Sequence, residues 1–276
     1  MEKFEKLFLG KYPRRGAILS YMREALQKDE VEWSDLTTVN LMKVADVIRD
    51  NVTPNTASVY FAILSGFLGL FEDESIIPSE KFRKVLKSKK TPSQHIALTM
   101  DELLRVDAYQ PESEAEQDIK TLFMRGCLTG ARSSDAELLS SSNIADDMLS
   151  YVSIKTKIEV VQPAHKMLHK YLSRRAKAHS KRVQSYLVRK IAKVCGIDDE
   201  VQLFVNGKLK KGPKWQFVTM HTSRRTYCTL LAELGTPVEM ISKLAGHSNS
   251  TITSKTYICL DTKKVGSAAM KFFNMK

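Results

Sequence analysis

His221 and Arg224 lie three residues apart in His221-Thr-Ser-Arg224-Arg, so a helix through them shows both on one face. An imidazole beside a guanidinium can hold a phosphate ester and move a proton at it. Arg132 follows Thr129-Gly130, a tight turn leading into a helix, and Asp135 stands one turn further on. Gly246-His247 comes after a helix end, where glycine lets the backbone turn and the imidazole emerge from a loop. Tyr257 lies ten residues beyond His247. A phenol acts as a nucleophile only where the phenolate, and the charge developing on its target, are stabilised. Two arginines and two histidines could do that for a phosphodiester. Singly each feature is weak, because HxxR recurs by chance and a tyrosine in a helix is usually core or surface.

These side chains need elements to bring them together, and the pattern supplies two kinds. Residues 1–90 read as helices: Ala17 to Leu26 and Thr37 to Ile48 have apolar residues at helical spacing. Thr53-Pro-Asn-Thr56 caps an apolar helix running to about Phe71, and Pro78 starts a last basic helix. Thr91-Pro-Ser-Gln94 has linker chemistry, which places a boundary over 91–97. From residue 98 the pattern is mixed. Leu98 to Leu104 opens a capped helix, and Asp118 to Cys127 is amphipathic. Met148 to Ile154 and Ile158 to Gln162 flank Lys155-Thr-Lys157 as a β-hairpin. Helices are expected near 163–177 and 180–195, with a short strand at Gln202 to Val205 between the second and the next helical stretch. Lys208, Lys210, Lys211 and Lys214 fall in a loop containing glycine and proline, and the rest is helical, punctuated by Gly235-Thr-Pro237 and Gly246. The tail, Gly266 to Met275, has helical spacing. The fold class is mostly α with a small antiparallel sheet.

Composition narrows the partners. The chain has 276 residues, with 43% hydrophobic and 27% charged, which suits a globular protein and excludes wholesale disorder. Its net charge is +12, a surplus that favours a polyanion. Residues 1–98 hold only +2 of it and residues 99–276 hold +10. Lys81, Arg83, Lys84, Lys87, Lys89 and Lys90 put six cations into ten residues at the seam. A charge run is usually a solvated face. This one joins two domains, where cations meet phosphates without reading sequence, and Lys208, Lys210 and Lys211 are weaker candidates of the same kind. Val59 to Phe71 is too short to span a bilayer and reads as a buried helix, so no membrane is expected. Met1-Glu-Lys-Phe-Glu-Lys lacks a signal-peptide pattern, so a cytoplasmic, nucleoid-associated location is expected. Cys127, Cys195, Cys228 and Cys259 are widely spaced, which argues for buried thiols and against a zinc site.

Order and spacing then combine. Thr129-Gly-x-Arg132-x-x-Asp135, about ninety residues, His221-x-x-Arg224, Gly246-His247 and Tyr257 together resemble the tyrosine recombinase (phage integrase) family. Arg224-Arg-Thr-Tyr-Cys-Thr-Leu-Leu and the Gly235-to-His247 helix match it too, most strongly over 121–260. The resemblance implies a helical core-binding domain over 1–90, a linker over 91–97 and a mixed α/β catalytic domain over 98–276. It implies that Arg132 and Arg224 clamp the non-bridging oxygens of a scissile phosphate, a task for a planar fork. By the same resemblance, His247 would add a hydrogen bond there, His221 would assist proton transfer at the tyrosine, and Tyr257 would attack phosphorus to leave a 3′-phosphotyrosine. The resemblance further implies Lys155 as the acid for the 5′-oxygen, with Lys157 as the competing choice, and Asp135 as the residue that orients Arg132. The family's commonest His-to-Tyr interval is one shorter than the interval here. Tyr227 and Tyr151 are read as packing, and His165, His169 and His179 as surface or phosphate contacts.

The expected function is site-specific recombination of double-stranded DNA by a homotetramer on synapsed sites. No cofactor and no metal is expected, and host DNA-bending or directionality factors are candidate partners. The C-terminal helix is expected to be donated to a neighbouring protomer, and no arm-binding domain is expected ahead of 1–90. A type IB topoisomerase-like relaxation and a catalytically idle DNA-binding protein are the competing readings. A metal-dependent nuclease is the least favoured, because the Asp/Glu spacing offers no two-metal site.

Overall fold

Among the described residues, short polar side chains cap six of the helices, and a few left-handed glycines mark turns of the chain. The computed structural model describes residues 2–259 apart from Ser75, Pro92 and Ser248. It divides into two compact units, one comprising Met1–Ser93 with Phe204–Leu209, the other Gln94–Leu203 with Lys210–Lys276. The expected helix over Gly266 to Met275 lies outside the described residues.

The first unit holds helices α1 (Phe4–Lys11), α2 (Gly16–Leu26), α3 (Thr38–Asn51), α4 (Pro54–Leu68) and α5 (Phe82–Val85). Thr37 caps α3 by accepting from the Asn40 amide at 3.2 Å. Thr53 caps α4 by accepting from the Thr56 amide at 3.3 Å, with Pro54 at the position where a missing N–H costs nothing. The core is rich in aromatics: Phe67 packs edge-on to Phe8, with ring centroids 5.2 Å apart, and Trp33 meets Phe4 at the same separation. Pro54–Glu74, α4 with the 3-10 turn after it, is long and apolar enough to cross a membrane by length and composition alone. That corrects the expectation of a stretch too short to span, although Ala57, Phe61, Leu64, Phe67 and Leu68 are buried in this core. The basic helix expected from Pro78 shrinks to the four residues of α5. Of the described apolar residues from 78 to 90, Phe82 and Leu86 are buried, and the crowded cations of the run repel one another.

The second unit is built around α7 (Glu114–Thr129), which follows α6 (Met100–Ala108). The sequence suggested an amphipathic helix over 118–127; α7 is longer, and every residue from Asp118 to Thr129 is buried. After it come α8 (Ser133–Leu138), strands β1 (Ile144–Ala145), β2 (Met148–Val152) and β3 (Glu159–Pro163), then α9 (Leu168–Leu172) and α10 (Lys181–Val194). The three strands form an antiparallel sheet with Tyr151 opposite Val160. Strands β4 (Glu200–Val205) and β5 (Lys208–Pro213) form a second sheet, and α11 (Met220–Glu233), α12 (Val238–Leu244) and α13 (Ser250–Ile252) complete the order. Helices α8, α9, α10 and α11 all pack on α7. The mostly α class with small antiparallel sheets is as expected.

Two segments differ from the sequence reading. The helix expected over 163–177 is only α9, because Pro163 still belongs to β3 and residues past Leu172 are held by polar bonds instead. Arg174 and His179 both reach Asp118, each at 3.0 Å, and Arg125 donates to the Tyr171 and Arg174 carbonyls at 2.9 and 2.5 Å. Lys208, Lys210 and Lys211 lie on strand β5 rather than in a loop. Asn206-Gly207, with φ of 53° and 78°, makes the two-residue turn that joins β4 to β5. Lys214 is buried and donates to Glu102 at 2.6 Å.

Candidate active site

Two glycines in the left-handed region set the site's geometry. Gly130 (φ 66°) ends α7, and its carbonyl accepts from Arg224 Nη1 at 2.6 Å. Gly246 (φ 66°) follows α12, and its carbonyl lies 3.5 Å from both Arg132 Nη1 and Thr156 Oγ1. A Cβ at Gly130 would fall 2.5 Å from the Tyr227 ring, and one at Gly246 2.7 Å from Val160. Both turns therefore need glycine for conformation and for room.

Arg224 on α11 is 1% exposed. Its Nε donates to His247 Nε2 at 3.1 Å, and its Cζ lies 5.1 Å from the Tyr257 ring centroid. Its Nη2, also buried, finds no hydrogen-bond partner among the described residues. Burial, and then Arg132, lower its pKa. Among the described residues no carboxylate bonds to this buried cation, an arrangement that is costly unless an anion arrives.

His247 is held from both sides. A guanidinium only donates, so Nε2 is the unprotonated nitrogen, and Nδ1–H donates to Thr253 Oγ1 at 2.8 Å. Burial first, then Arg224, Arg132 and His221, push its pKa down to about 3, so the ring is neutral. Thr253 is fully buried and opens a π-helical turn, Thr253–Tyr257, which carries Tyr257 in place of the regular helix expected there. The turn's first and last residues thus hold the imidazole and present the phenol. Tyr257 is 7% exposed; its ring lies 4.3 Å from that of His247, and its hydroxyl is 3.0 Å from His221 Nε2. Desolvation by surrounding protein, then Arg225 and Arg224, lower the His221 pKa to about 4. A neutral imidazole with a lone pair at Nε2 can take the phenol's proton.

Arg132 is the N-cap residue of α8 and is half-buried. Asp135 does not bond to it directly, which refines the expected orienting contact. Arg132 Nη1 donates to Ser153 Oγ at 3.0 Å, and that hydroxyl donates to Asp135 Oδ2 at 2.8 Å. Lys155 and Lys157 both stand exposed on the turn after Ser153, and Lys157 takes φ 57°, the conformation a glycine would favour. The structure thus gathers Arg132, Asp135, His221, Arg224, His247 and Tyr257 in one cluster, with both lysines on a turn whose first residue bonds to it. Ser153 and Thr253 were not singled out in the sequence, and nothing in their type or spacing marks them.

The other candidates sort differently. Lys81, Lys84, Lys87, Lys89 and Lys90 are exposed, while Arg83 pairs with Glu72 at 2.5 Å. Lys208 and Lys210 are exposed, and Lys211 pairs with Glu200. Tyr227 donates to Gln162 and packs over Gly130. The Tyr151 hydroxyl is buried without a partner among the described residues, and burial raises its pKa to about 12. His165 and His169 are exposed, and His179 pairs with Asp118 instead of facing solvent freely. Cys127, Cys195 and Cys228 are buried, and Cys259 is half-buried.

The profile of the phage integrase family matches residues 97–264. Among solved structures, a lambda integrase dimer bound to a COC′ core site shares 18% identity, covering 95% of this chain and 97% of that one, with a TM-score of 0.65. A lambda integrase tetramer bound to a Holliday junction shares 19% identity over 92% and 76%, with a TM-score of 0.63. XerH site-specific recombinase bound to palindromic difH substrate shares 14% over 92% and 76%, with a TM-score of 0.60. No curated protein matches the chain.

Proposed function

Because the chain belongs to the phage integrase family, we propose that it is a site-specific tyrosine recombinase that cuts and rejoins double-stranded DNA through a 3′-phosphotyrosine. The observation that carries this reading is the buried Arg224, whose Nη2 lacks a partner among the described residues while Arg132, His221, His247 and Tyr257 surround the same place. Such a cation awaits an anion, and the anion a nucleophilic phenol would attack beside two guanidinium groups is a phosphodiester.

The steps follow from the atoms. Tyr257 Oη attacks phosphorus while His221 Nε2 accepts its proton. Arg132 and Arg224 neutralise the non-bridging oxygens. The bond to the 5′-oxygen breaks, and Lys155, or Lys157 on the same turn, protonates the leaving oxygen. A 5′-hydroxyl from the partner strand then attacks the phosphotyrosine, returning the phenol its proton. The phosphate ester is conserved throughout, so no nucleotide cofactor is consumed. For His247 to donate from Nε2 to the phosphate, Arg224 Nε turns from the ring to the phosphate and the Thr253 hydroxyl becomes the donor to Nδ1, so the ring stays neutral. The assembly is a homotetramer, like the lambda integrase tetramer on a Holliday junction.

The test is a nicked duplex carrying the recombination site. Tyr257→Phe is expected to bind it with unchanged affinity and form no covalent adduct. An adduct with that variant would overturn the nucleophile. Joint products from two sites separate recombination from topoisomerase-like relaxation, and a chelator is expected to leave the adduct yield unchanged.

A further inference from the structure

The turn that carries Lys155 is tied to the arginine cluster by one side chain. Ser153 is 1% exposed and closes the base of the turn with its backbone: its amide donates to the Ile158 carbonyl at 2.9 Å, and its carbonyl accepts from the Lys157 amide at 2.8 Å. Its hydroxyl sits between Arg132 Nη1 at 3.0 Å and Asp135 Oδ2 at 2.8 Å. The polarity of this chain is fixed. A guanidinium can only donate and a carboxylate can only accept, so Ser153 Oγ accepts from Arg132 and gives its one proton to Asp135. The other carboxylate oxygen, Asp135 Oδ1, accepts from the Ile154 amide at 3.0 Å. One carboxylate therefore grips two consecutive residues at the start of the turn and reaches the guanidinium only through the hydroxyl.

We infer that Ser153 is a positioning residue that relays Asp135 to Arg132, holding the guanidinium plane toward the phosphate without touching the substrate. This rests on the recombinase reading above. A hydroxyl suits the place because it is small, donates once and accepts. Among the described residues, alanine would leave Arg132 Nη1 with the long contact to the Gly246 carbonyl at 3.5 Å and would strip Asp135 Oδ2 of the Ser153 donor.

The test compares single-turnover adduct formation by the full chain and by Ser153→Ala on a nicked duplex. The variant is expected to bind DNA within about twofold of the parent and to cleave roughly 10- to 100-fold more slowly, as loss of a hydrogen bond to a charged group predicts. Two substrates locate the defect. A methylphosphonate at the scissile position carries no charge to neutralise, so the gap between parent and variant should shrink there. A 5′-bridging phosphorothiolate needs no acid, so the gap should persist. A gap that closes on the phosphorothiolate instead would overturn the relay, because Ser153 would then act through Lys155. A double-mutant cycle adds a second arm: Asp135→Asn should slow cleavage much less in the Ser153→Ala chain than in the parent, and additive effects would overturn the relay. Equal cleavage by parent and Ser153→Ala sinks this inference alone. A parent that forms no adduct sinks the recombinase reading and this role with it.

Discussion

A buried imidazole beside two guanidinium groups stays neutral well below the pH at which histidine normally charges, and that makes the fold acid-sensitive. His247 has a pKa of about 3 in the folded chain against about 6.5 unfolded. Between those values the unfolded chain binds a proton that the folded one refuses, so stability present above pH 6.5 is lost as pH falls toward 3. Each pH unit in that window costs up to about 1.4 kcal/mol for such a group. The urea midpoint of the parent is expected to drop between pH 7 and pH 5, and His247→Gln should drop less over the same interval. Equal drops would show that His247 is not the group responsible. The sequence displayed the reactive residues because arginine, histidine and tyrosine at those intervals have few other reasons to recur together. It hid Ser153 and Thr253, common hydroxyls whose work depends on where a hairpin and a π-turn happen to deliver them.

Between elements, the tightest demand is where α7 meets α11. A Cβ on Gly126 of α7 would lie 2.2 Å from Ser223 Oγ and 2.8 Å from Ser223 Cβ. In an exposed helix Gly→Ala would stabilise by about 1 kcal/mol. Here Gly126→Ala is expected to lower the melting temperature, since such overpacking costs about 1–3 kcal/mol. It should also slow adduct formation, because α11 carries His221 and Arg224. Ser223→Gly in the same chain should recover both, and a Gly126→Ala chain that melts at or above the parent would contradict the packing. Arg125, buried on α7, donates to the Ala136 and Tyr171 carbonyls, each at 2.9 Å, so it braces α8 and α9 against the helix that bears it. Some helix starts were readable from caps, as at Thr53-Pro54 and at Thr99 with Glu102, whereas the Ser113 cap of α7 was passed over. The β4–β5 hairpin was also legible in Asn206-Gly207 but was masked by the lysines after it. The end of α9 was not legible, because the bonds that replace its helix come from Asp118 and Arg125, far away in sequence.

For the whole molecule, charge and fold carry different information. The +12 surplus predicts a polyanionic partner but no architecture. Replacing Lys87, Lys89 and Lys90 by alanine is expected to flatten the dependence of log affinity for DNA on log salt by about 0.9 for each lysine that meets a phosphate. An unchanged slope would remove that run from the interface. Lys214 does not belong in this count, since Glu102 already holds it inside the protein. The family profile spans 97–264, yet identity to the lambda integrase dimer is 18%. The carbonyls of Gly130 and Gly246 bear on that contrast. Both acceptors are main-chain oxygens aimed by left-handed turns, so once those two glycines are kept the side chains around them can change without moving the acceptors. Drift is then free to erase the text of the chain long before it loosens the grip on its arginines.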